Sequence, residues 1–165
     1  MRWPAYLILV YFAIGTQIGM GEFLRVGGAK PDLVLLAVIF IAVNAPRDAA
    51  LLGAFLIGAM QDLVTLSPLG LYAFSYALVG MFIVSTQELV YKAHPVTHFS
   101  LAFVGGLLTG AILCIHGWIK GPSVSAGEMF TSALYTAILA PILLGLLNQT
   151  RKAFAFQQRR RLRTI

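Results

Sequence analysis

Two acidic side chains lie in apolar stretches of the sequence, and they are the first candidates for chemistry. Asp32 follows Lys30 and Pro31 at the start of one apolar run, and Asp62 follows Gln61 near the end of another. A charged Asp at the centre of a membrane helix costs about 2.5–3.5 kcal/mol, and less away from the centre. Each carboxylate therefore needs a hydrogen-bonding partner, water or a proton. The two acids lie on different predicted helices, so their spacing does not establish an acid–base pair.

The other chemically capable residues form no convincing catalytic or metal-binding set. His94 and His98 are four apart, as on one helix face, but Pro95 lies between them and no Cys or carboxylate has suitable spacing nearby. Cys114 and His116 are two apart and so do not share a helix face. No Ser has a matching His and Asp, and no glycine-rich phosphate loop follows a strand. We predict no enzyme activity, no metal site and no cofactor.

The composition indicates a polytopic membrane protein. Of the 165 residues, 59% are hydrophobic and 11% are charged, whereas a soluble domain typically carries about 25% charged residues. The length suits one helical bundle without a separate soluble domain. The formal net charge of +6 fits membrane topology and contact with anionic lipid better than nucleic-acid binding. The single cysteine excludes an internal disulfide.

Six apolar stretches predict an all-α protein with six transmembrane helices in one bundle. A span needs about 20 apolar residues to cross a hydrocarbon core of about 30 Å. The second stretch is short because Pro31 opens it and Pro46 closes it, with Lys30 and Arg47 placed to snorkel at its ends. We read the first run as a retained span, since no small-residue cleavage site follows it. The predicted spans are residues 4–22, 31–46, 48–66, 69–87, 97–117 and 129–150, which gives a transmembrane domain at 1–150 and a basic tail at 151–165.

The distribution of Lys and Arg predicts that both termini lie in the cytoplasm. With six spans, nine of the twelve basic residues lie on the side of the termini, and Arg25, Lys30 and Lys120 lie on the other. Cytoplasmic segments carry such an excess of basic residues. Near anionic lipid each Lys or Arg contributes about 1 kcal/mol, although a protein-binding tail is the alternative interpretation. The tail residues that we expect to contact lipid are Arg159, Arg160, Arg161 and Arg163.

On this topology Asp62 lies in the outer half of the membrane, roughly 7 Å from the midplane at helical rise. Ala54, Gly58 and Asp62 are spaced four apart and form a stripe of small residues that ends at the acid. Such stripes pack against other helices, so we expect Asp62 to face protein. Our hypothesis is that Asp62 accepts hydrogen bonds from a neighbouring side chain and fixes a tight hairpin at residues 67–70. The candidate donors are Tyr72, Tyr76 and Gln17.

Further polar residues cluster at the same membrane level and leave two interpretations open. They would form either a polar cavity open to the outside or ordinary hydrogen bonds between helices together with an interfacial aromatic belt. At the start of the second span, Pro31 suits a first helical turn and Asp32 favours a helix N-terminus electrostatically. The clustered residues are Thr16, Gln17, Tyr72, Ser75, Tyr76, Thr109, Thr131, Ser132, Tyr135 and Thr136.

Two GxxxG pairs predict sites of close helix packing. Gly15 and Gly19 form one in the first span, and Gly106 and Gly110 form one in the fifth. Such pairs allow two backbones to approach closely. The neighbour can belong to the same chain or to another one, so packing within the bundle, a partner helix and a homodimer all remain open.

Two neighbouring segments carry specific residue patterns. "KPDLVLLAVIFIAV" at 30–43 has Lys-Pro-Asp-Leu at the outer start of a short span, and "GAFLIGAMQDLVTLSPLGLYAFSYALVG" at 53–80 has a G-F-x-x-G-x-x-x-D core followed by P-L-G-L-Y. Together they resemble the MreD family of bacterial rod shape-determining proteins, over about residues 30–80. The residues that the resemblance marks as a partner-binding or structural motif are Pro31, Asp32, Phe55, Gly58, Gln61, Asp62, Pro68, Gly70 and Tyr72.

The resemblance implies a non-catalytic scaffold of the cell-elongation (rod) complex in the bacterial inner membrane. The implied partner is MreC, a membrane-anchored protein with a periplasmic coiled coil, with MreB, RodA and a class B penicillin-binding protein as further candidates. Such a scaffold helps to position peptidoglycan synthesis for cell-shape control.

The family is also similar in fold to the substrate-binding S components of energy-coupling-factor transporters, and this supplies the alternative function. In that interpretation the chain binds a small molecule from outside in a cavity among its helices. A densely polar cavity with several charges would favour the transporter subunit. An open apolar surface flanked by small residues would favour the scaffold.

Overall fold

The computed structural model describes residues 3–20, 23, 25, 29–86, 95–120 and 125–150. The regular structure in these ranges is six α-helices, each of which overlaps one predicted span, so the all-helical fold class is confirmed for them. The helix ends lie within three residues of the predicted span ends, and α5 in particular begins two residues earlier and ends three residues later than expected. The helices are α1 (Trp3–Met20), α2 (Leu33–Asn44), α3 (Arg47–Thr65), α4 (Leu71–Thr86), α5 (Pro95–Lys120) and α6 (Ala126–Thr150).

Three of the described helices are long and apolar enough to cross a membrane on their own. They contain the segments Arg47–Thr65, Val96–Lys120 and Ala126–Leu147. The apolar helices α1, α2 and α4 are shorter, and α2 in particular has twelve residues, or about 18 Å at helical rise. Six membrane crossings therefore stay a prediction.

The short helix α2 forms the centre of the bundle. It contacts each of the other five helices, and its residues from Val34 to Val43 are all buried. A helix that is buried on every side has no polar stripe, which explains why α2 is an unbroken run of apolar residues. Pro31 and Pro46 flank it, and α3 begins directly after Pro46.

Helices α3 and α4 form a tight hairpin. Leu66, whose φ of 51° is left-handed, caps the C-terminal end of α3, and Gly70 with φ of 99° precedes α4. The backbone oxygen of Asp62 accepts hydrogen bonds from the N–H groups of Leu66 and Ser67 at this turn. The chain therefore reverses direction within a few residues, as the sequence predicts for residues 67–70.

Small residues set the close approach of α3 to α4. A Cβ added to Gly58 would lie 2.5 Å from the Cα of Ala73, and one added to Gly80 would lie 2.9 Å from the Cβ of Ala54. Ala54, Gly58 and Asp62 are all buried. The prediction that this stripe faces protein is confirmed, and the protein it faces is the next helix of the same chain.

Candidate functional site

The carboxylate of Asp62 caps the start of α4. Its Oδ1 accepts a hydrogen bond from the N–H of Tyr72 at 2.8 Å, and its Oδ2 accepts from the N–H groups of Gly70 at 2.9 Å and Ala73 at 3.1 Å. The first N–H groups of a helix have no partner within that helix, and the residue before the helix usually supplies one from its side chain. Gly70 holds that position and has no side chain. Asp62 provides the missing cap from the last turn of α3.

The prediction that Asp62 fixes the hairpin is confirmed, but its donors are not the expected side chains. Tyr72 contributes its backbone N–H rather than its hydroxyl, while Tyr76 and Gln17 bond to groups near the start of α2. Asp62 bonds to backbone groups because its short side chain lies beside the N–H groups at the start of α4, which have no partner within that helix. Tyr76, one helical turn further along α4, reaches a different carboxylate.

That second carboxylate is Asp32, which caps α2. It occupies the N-cap position, and its Oδ1 accepts a hydrogen bond from the N–H of Leu35 at 2.8 Å. The hydroxyl of Tyr76 donates to the same carboxylate, 2.9 Å from Oδ2 and 3.1 Å from Oδ1. The helix-terminus role predicted for Asp32 is confirmed. Pro31 lies one residue before the cap rather than in the first turn, since α2 begins only at Leu33.

The chain leading into α2 is held by α1 and α6. The side-chain amide of Gln17 donates to the carbonyl of Pro31 at 3.1 Å and accepts from the N–H of Leu33 at 2.7 Å. These bonds satisfy a backbone carbonyl before the helix and the first N–H of the helix, which would otherwise be unpaired in an apolar bundle. Two further bonds run from the N–H of Lys30 to Oγ of Ser132 at 3.2 Å and from the N–H of Asp32 to Oγ1 of Thr136 at 2.9 Å.

A cavity of about 330 Å³ adjoins both capped helix starts. Its walls come from α1, α3, α4, α5, α6 and the segment before α2, and the rings of Tyr72 and Tyr76 lie 5.6 Å apart in it. Both interpretations of the polar cluster receive support, because Gln17, Tyr76, Ser132 and Thr136 bond to groups around the start of α2 and also line open space. That the cavity opens to the outside stays a prediction. The charged residues in the lining are Arg25, Lys30, Asp32 and Glu128.

The motif residues separate into three groups in the structure. Asp62, Gly70 and Tyr72 form the cap of α4, with Gly58 packed beneath the backbone of Tyr72. Phe55 and Pro68 are exposed and do not join the cap. The members that line the cavity are Pro31, Asp32, Gln61 and Tyr72.

The two GxxxG pairs have different surroundings. A Cβ on Gly106 would lie 3.0 Å from the Cβ of Ala133, and one on Gly110 would collide with the side chain of Met129. The pair in α5 is therefore used to pack α6 within the chain. For Gly15 and Gly19 in α1, no described atom lies within 4 Å of an added Cβ.

Glu128 is a lining residue that the sequence reasoning missed. Its N–H donates to Oγ of Ser125 at 3.2 Å, and its Oε2 accepts from the N–H of Ser125 at 3.3 Å. This is a capping box, and the S-x-x-E pattern before an apolar run was a readable signal for it. The capping box fixes the start of α6 and with it the position of Glu128 at the cavity.

No group of three His, Cys, Asp or Glu residues in the described ranges is arranged to hold a metal ion. His98 lies buried in α5, whereas His94 and the basic tail residues Arg159, Arg160, Arg161 and Arg163 lie outside the described residues. The lipid contact predicted for the tail therefore stays a prediction.

Comparison with protein families gives one match across most of the chain. The family model for the rod shape-determining protein MreD matches residues 1–150. The match therefore extends well beyond the two motifs at 30–80 and includes all six helices. Comparisons with curated proteins and with solved structures found no match.

Proposed function

Because the chain belongs to the MreD family of rod shape-determining proteins, we propose that it is a non-catalytic scaffold of the cell-elongation complex. In this proposal it lies in the bacterial inner membrane as a multi-pass protein and binds the single span of MreC. Through MreC it helps to position peptidoglycan synthesis by RodA and a class B penicillin-binding protein along MreB filaments. The family accounts for the role in shape determination, and the partners are our inference.

The observation that carries the proposal is an uncovered small-residue surface on α1. Ile8, Phe12, Gly15 and Gly19, which we call the glycine face, are spaced 4, 3 and 4 apart and so lie on one side of the helix. Ile8 and Phe12 are 56% and 66% exposed, and Gly15 and Gly19 are exposed as well. α1 packs on the bundle mainly through α2. A helix with this surface can receive a second helix at close backbone distance.

The contrast with α5 supports an external partner for α1. The bundle already uses the α5 pair, where Gly106 faces Ala133 and Gly110 faces Met129. Ordinary lipid-facing helices carry large apolar residues, and small residues gain nothing against lipid. A second helix is therefore a better fit to Gly15 and Gly19 than lipid alone, and the single span of MreC is the occupant that we propose.

The same proposal places six crossings in the membrane with both termini in the cytoplasm. The difficulty is α2, whose length of about 18 Å is less than the hydrocarbon thickness of about 30 Å. Non-helical backbone at membrane depth is tolerated where protein covers it and satisfies its polar groups. The bonds from Gln17, Ser132 and Thr136 to the segment before α2 meet that condition. The excess of Lys and Arg on the side of the termini supports the orientation.

A transporter S component is the second candidate, and the cavity is the observation that favours it. Four charged residues line a space of about 330 Å³, near the lower end of the range of about 300–1,000 Å³ for small-molecule sites. The family match supports the scaffold, since it describes a shape-determining protein. The scaffold and the transporter subunit require different protein partners, so identification of the bound partners distinguishes the two functions.

Co-purification tests the proposal. The protein is tagged at its C-terminus, lightly crosslinked in cells and extracted in a mild detergent, and the bound chains are identified by mass spectrometry. We expect MreC and a peptidoglycan polymerase with the wild-type protein, and at least a tenfold loss of MreC with Gly15→Leu. Gly145→Leu is the matched control, because an added Cβ at Gly145 of α6 also meets no described atom within 4 Å. Recovery of paired ATPases with a membrane coupling subunit would contradict the scaffold role and favour the transporter subunit.

A further inference from the structure

Two buried polar atoms at the cavity have no hydrogen-bond partner among the described residues. They are Oε1 of Gln61 and Oγ1 of Thr109, whose side chains are 5% and 3% exposed. Both residues line the cavity of about 330 Å³. A buried polar atom without a partner is energetically unfavourable. The two atoms belong to different helices, α3 and α5, and lie at the same cavity. We therefore expect a polar group to bind between them.

The Thr109 hydroxyl lacks a hydrogen bond that seven other helical hydroxyls form. Ser and Thr side chains in helices commonly donate a hydrogen bond to the carbonyl four residues earlier. The Thr109 hydroxyl forms no such bond to the carbonyl of Gly105. The Thr109 hydroxyl is thus available to a group in the cavity. Seven others do donate to the carbonyl four residues earlier: those of Thr65, Ser75, Ser85, Thr86, Ser100, Thr131 and Thr136.

The lining defines the chemistry of a fitting group. The Gln61 oxygen only accepts hydrogen bonds, whereas the Thr109 hydroxyl both donates and accepts. Among the described lining residues, the formal charges of Arg25 and Lys30 balance those of Asp32 and Glu128. A simple anion or cation therefore has no net electrostatic preference for the cavity. Hydroxyl groups meet both requirements, since each one can donate to the Gln61 oxygen and accept from the Thr109 hydroxyl.

We propose that this cavity binds a hydroxyl-rich group through Gln61 and Thr109, supplied either by a free sugar or polyol or by a hydroxyl-bearing lipid headgroup. The volume of about 330 Å³ suffices for a group the size of a monosaccharide, since it falls within the range of about 300–1,000 Å³ for small-molecule sites. The cavity lies at the ends of α2 and α4 that face outward in the proposed topology. Both sources can reach it from that side of the membrane. The proposal goes beyond the scaffold function and does not depend on MreC being the partner.

The test uses the full-length protein, purified in a nonionic detergent and freed of lipid. The free probe is glucose, and the headgroup probe is dihexanoyl-phosphatidylglycerol, which carries two hydroxyls. Dihexanoyl-phosphatidic acid is the matched control, because it keeps the chains and the phosphate but has no headgroup hydroxyl. The midpoint of thermal unfolding is followed against probe concentration, since a ligand that binds the folded state raises it.

We expect at least one hydroxylated probe to raise the midpoint, and phosphatidic acid to leave it unchanged. A response to glucose alone identifies a free ligand, and a response to phosphatidylglycerol alone identifies a headgroup. Gln61→Met and Thr109→Val each remove one hydrogen bond and should weaken the apparent affinity roughly tenfold. Thr131→Val is the control variant, because its hydroxyl bonds to Gly127 and lies outside the cavity lining.

Thr109→Val keeps the test decisive even if another variant fails to fold. It removes an unpaired buried hydroxyl, so the unliganded protein should be at least as stable as the wild type. The proposal is overturned if neither hydroxylated probe raises the midpoint, if phosphatidic acid raises it equally, or if Thr109→Val binds as the wild type does. Co-purification of MreC is measured separately, so failure here leaves the scaffold proposal standing and failure there leaves this one standing.

Discussion

At the scale of single residues, both motif aspartates are structural acceptors. Asp32 caps its own helix, and Asp62 caps the next one across the hairpin. Each carboxylate accepts hydrogen bonds from backbone N–H groups at a helix start, which would otherwise be unpaired in an apolar bundle. The cost of burying an acid in an apolar bundle is offset in this way.

Replacement of Asp62 tests the cap directly. Asp62→Asn puts an amide NH₂ where an acceptor oxygen now meets a backbone N–H, so at least one of the three bonds is lost. We expect a loss of about 1–3 kcal/mol in the free energy of unfolding, and a larger loss for Asp62→Leu, which leaves all three amides unpaired. Thermal unfolding in detergent measures both. Asp48→Asn, at an exposed acid in the first turn of α3, is the control, and equal stability of the Asp48 and Asp62 variants would refute the cap.

Sequence reasoning reached part of this residue-level picture. The four-residue spacing of Ala54, Gly58 and Asp62 correctly indicated that they pack on one face of α3, because helical periodicity determines which side chains share a side. The choice of donors was wrong, because that depends on the distance between the end of α3 and the start of α4. No periodicity encodes this distance, although Gly70 at the N-cap position was a readable sign that α4 lacked a cap of its own.

At the scale of elements, the contact of α3 with α4 depends on the absence of a side chain at Gly58. An added Cβ there would meet the backbone of Tyr72 and Ala73, which cannot move aside as a flexible side chain would. The hairpin that Asp62 caps is thus also fixed by steric fit along the stripe of small residues.

Gly58→Ala should therefore destabilise the protein by about 1–3 kcal/mol, as overpacking of tight contacts typically does. The unfolding midpoint in detergent provides the measurement. Gly145→Ala is matched in chemistry but lies where an added Cβ meets no described atom within 4 Å, and it should be neutral or slightly stabilising through helix propensity. A Gly58→Ala protein as stable as Gly145→Ala would show that α3 and α4 do not approach as described.

The helices themselves were predictable, and their lengths less so. Apolar runs bounded by Pro, Gly and charged residues located all six described helices. The sequence also indicated that α2 is short, from Pro31 and Pro46, but not that it lies at the centre. That position follows from its contacts with five other helices, and only its lack of any polar stripe hinted at complete burial.

At the scale of the whole molecule, α2, α4 and α6 all begin on the outer side of the membrane in the proposed topology. The cavity, the Asp62 cap and the capping box of α6 then share one membrane level. In that topology the polar groups lie on one side of the membrane and most Lys and Arg residues on the other, so the two sides of the molecule differ chemically. Topology is therefore the property on which the site assignments depend.

Cysteine labelling tests that topology. In a Cys114→Ser background, which removes the single native thiol, Ser125→Cys should react with a membrane-impermeant maleimide in intact cells. Arg47→Cys, between α2 and α3, should react only after the membrane is permeabilised. Ser125 and Arg47 are both exposed in the structure, so a difference between them reports the side of the membrane. The reverse pattern would place the cavity in the cytoplasm and contradict the account.

Photo-crosslinking from α1 tests the scaffold function most directly. A benzophenone amino acid replaces Phe12 on the glycine face, and in separate strains it replaces Phe74 of α4 or Ile142 of α6, which are similarly exposed at 61% and 68% against 66%. After irradiation of growing cells, we predict a covalent adduct with MreC from position 12 and none from positions 74 and 142. An adduct from α4 or α6, or the absence of any adduct from α1, would contradict the claim that this face binds the partner.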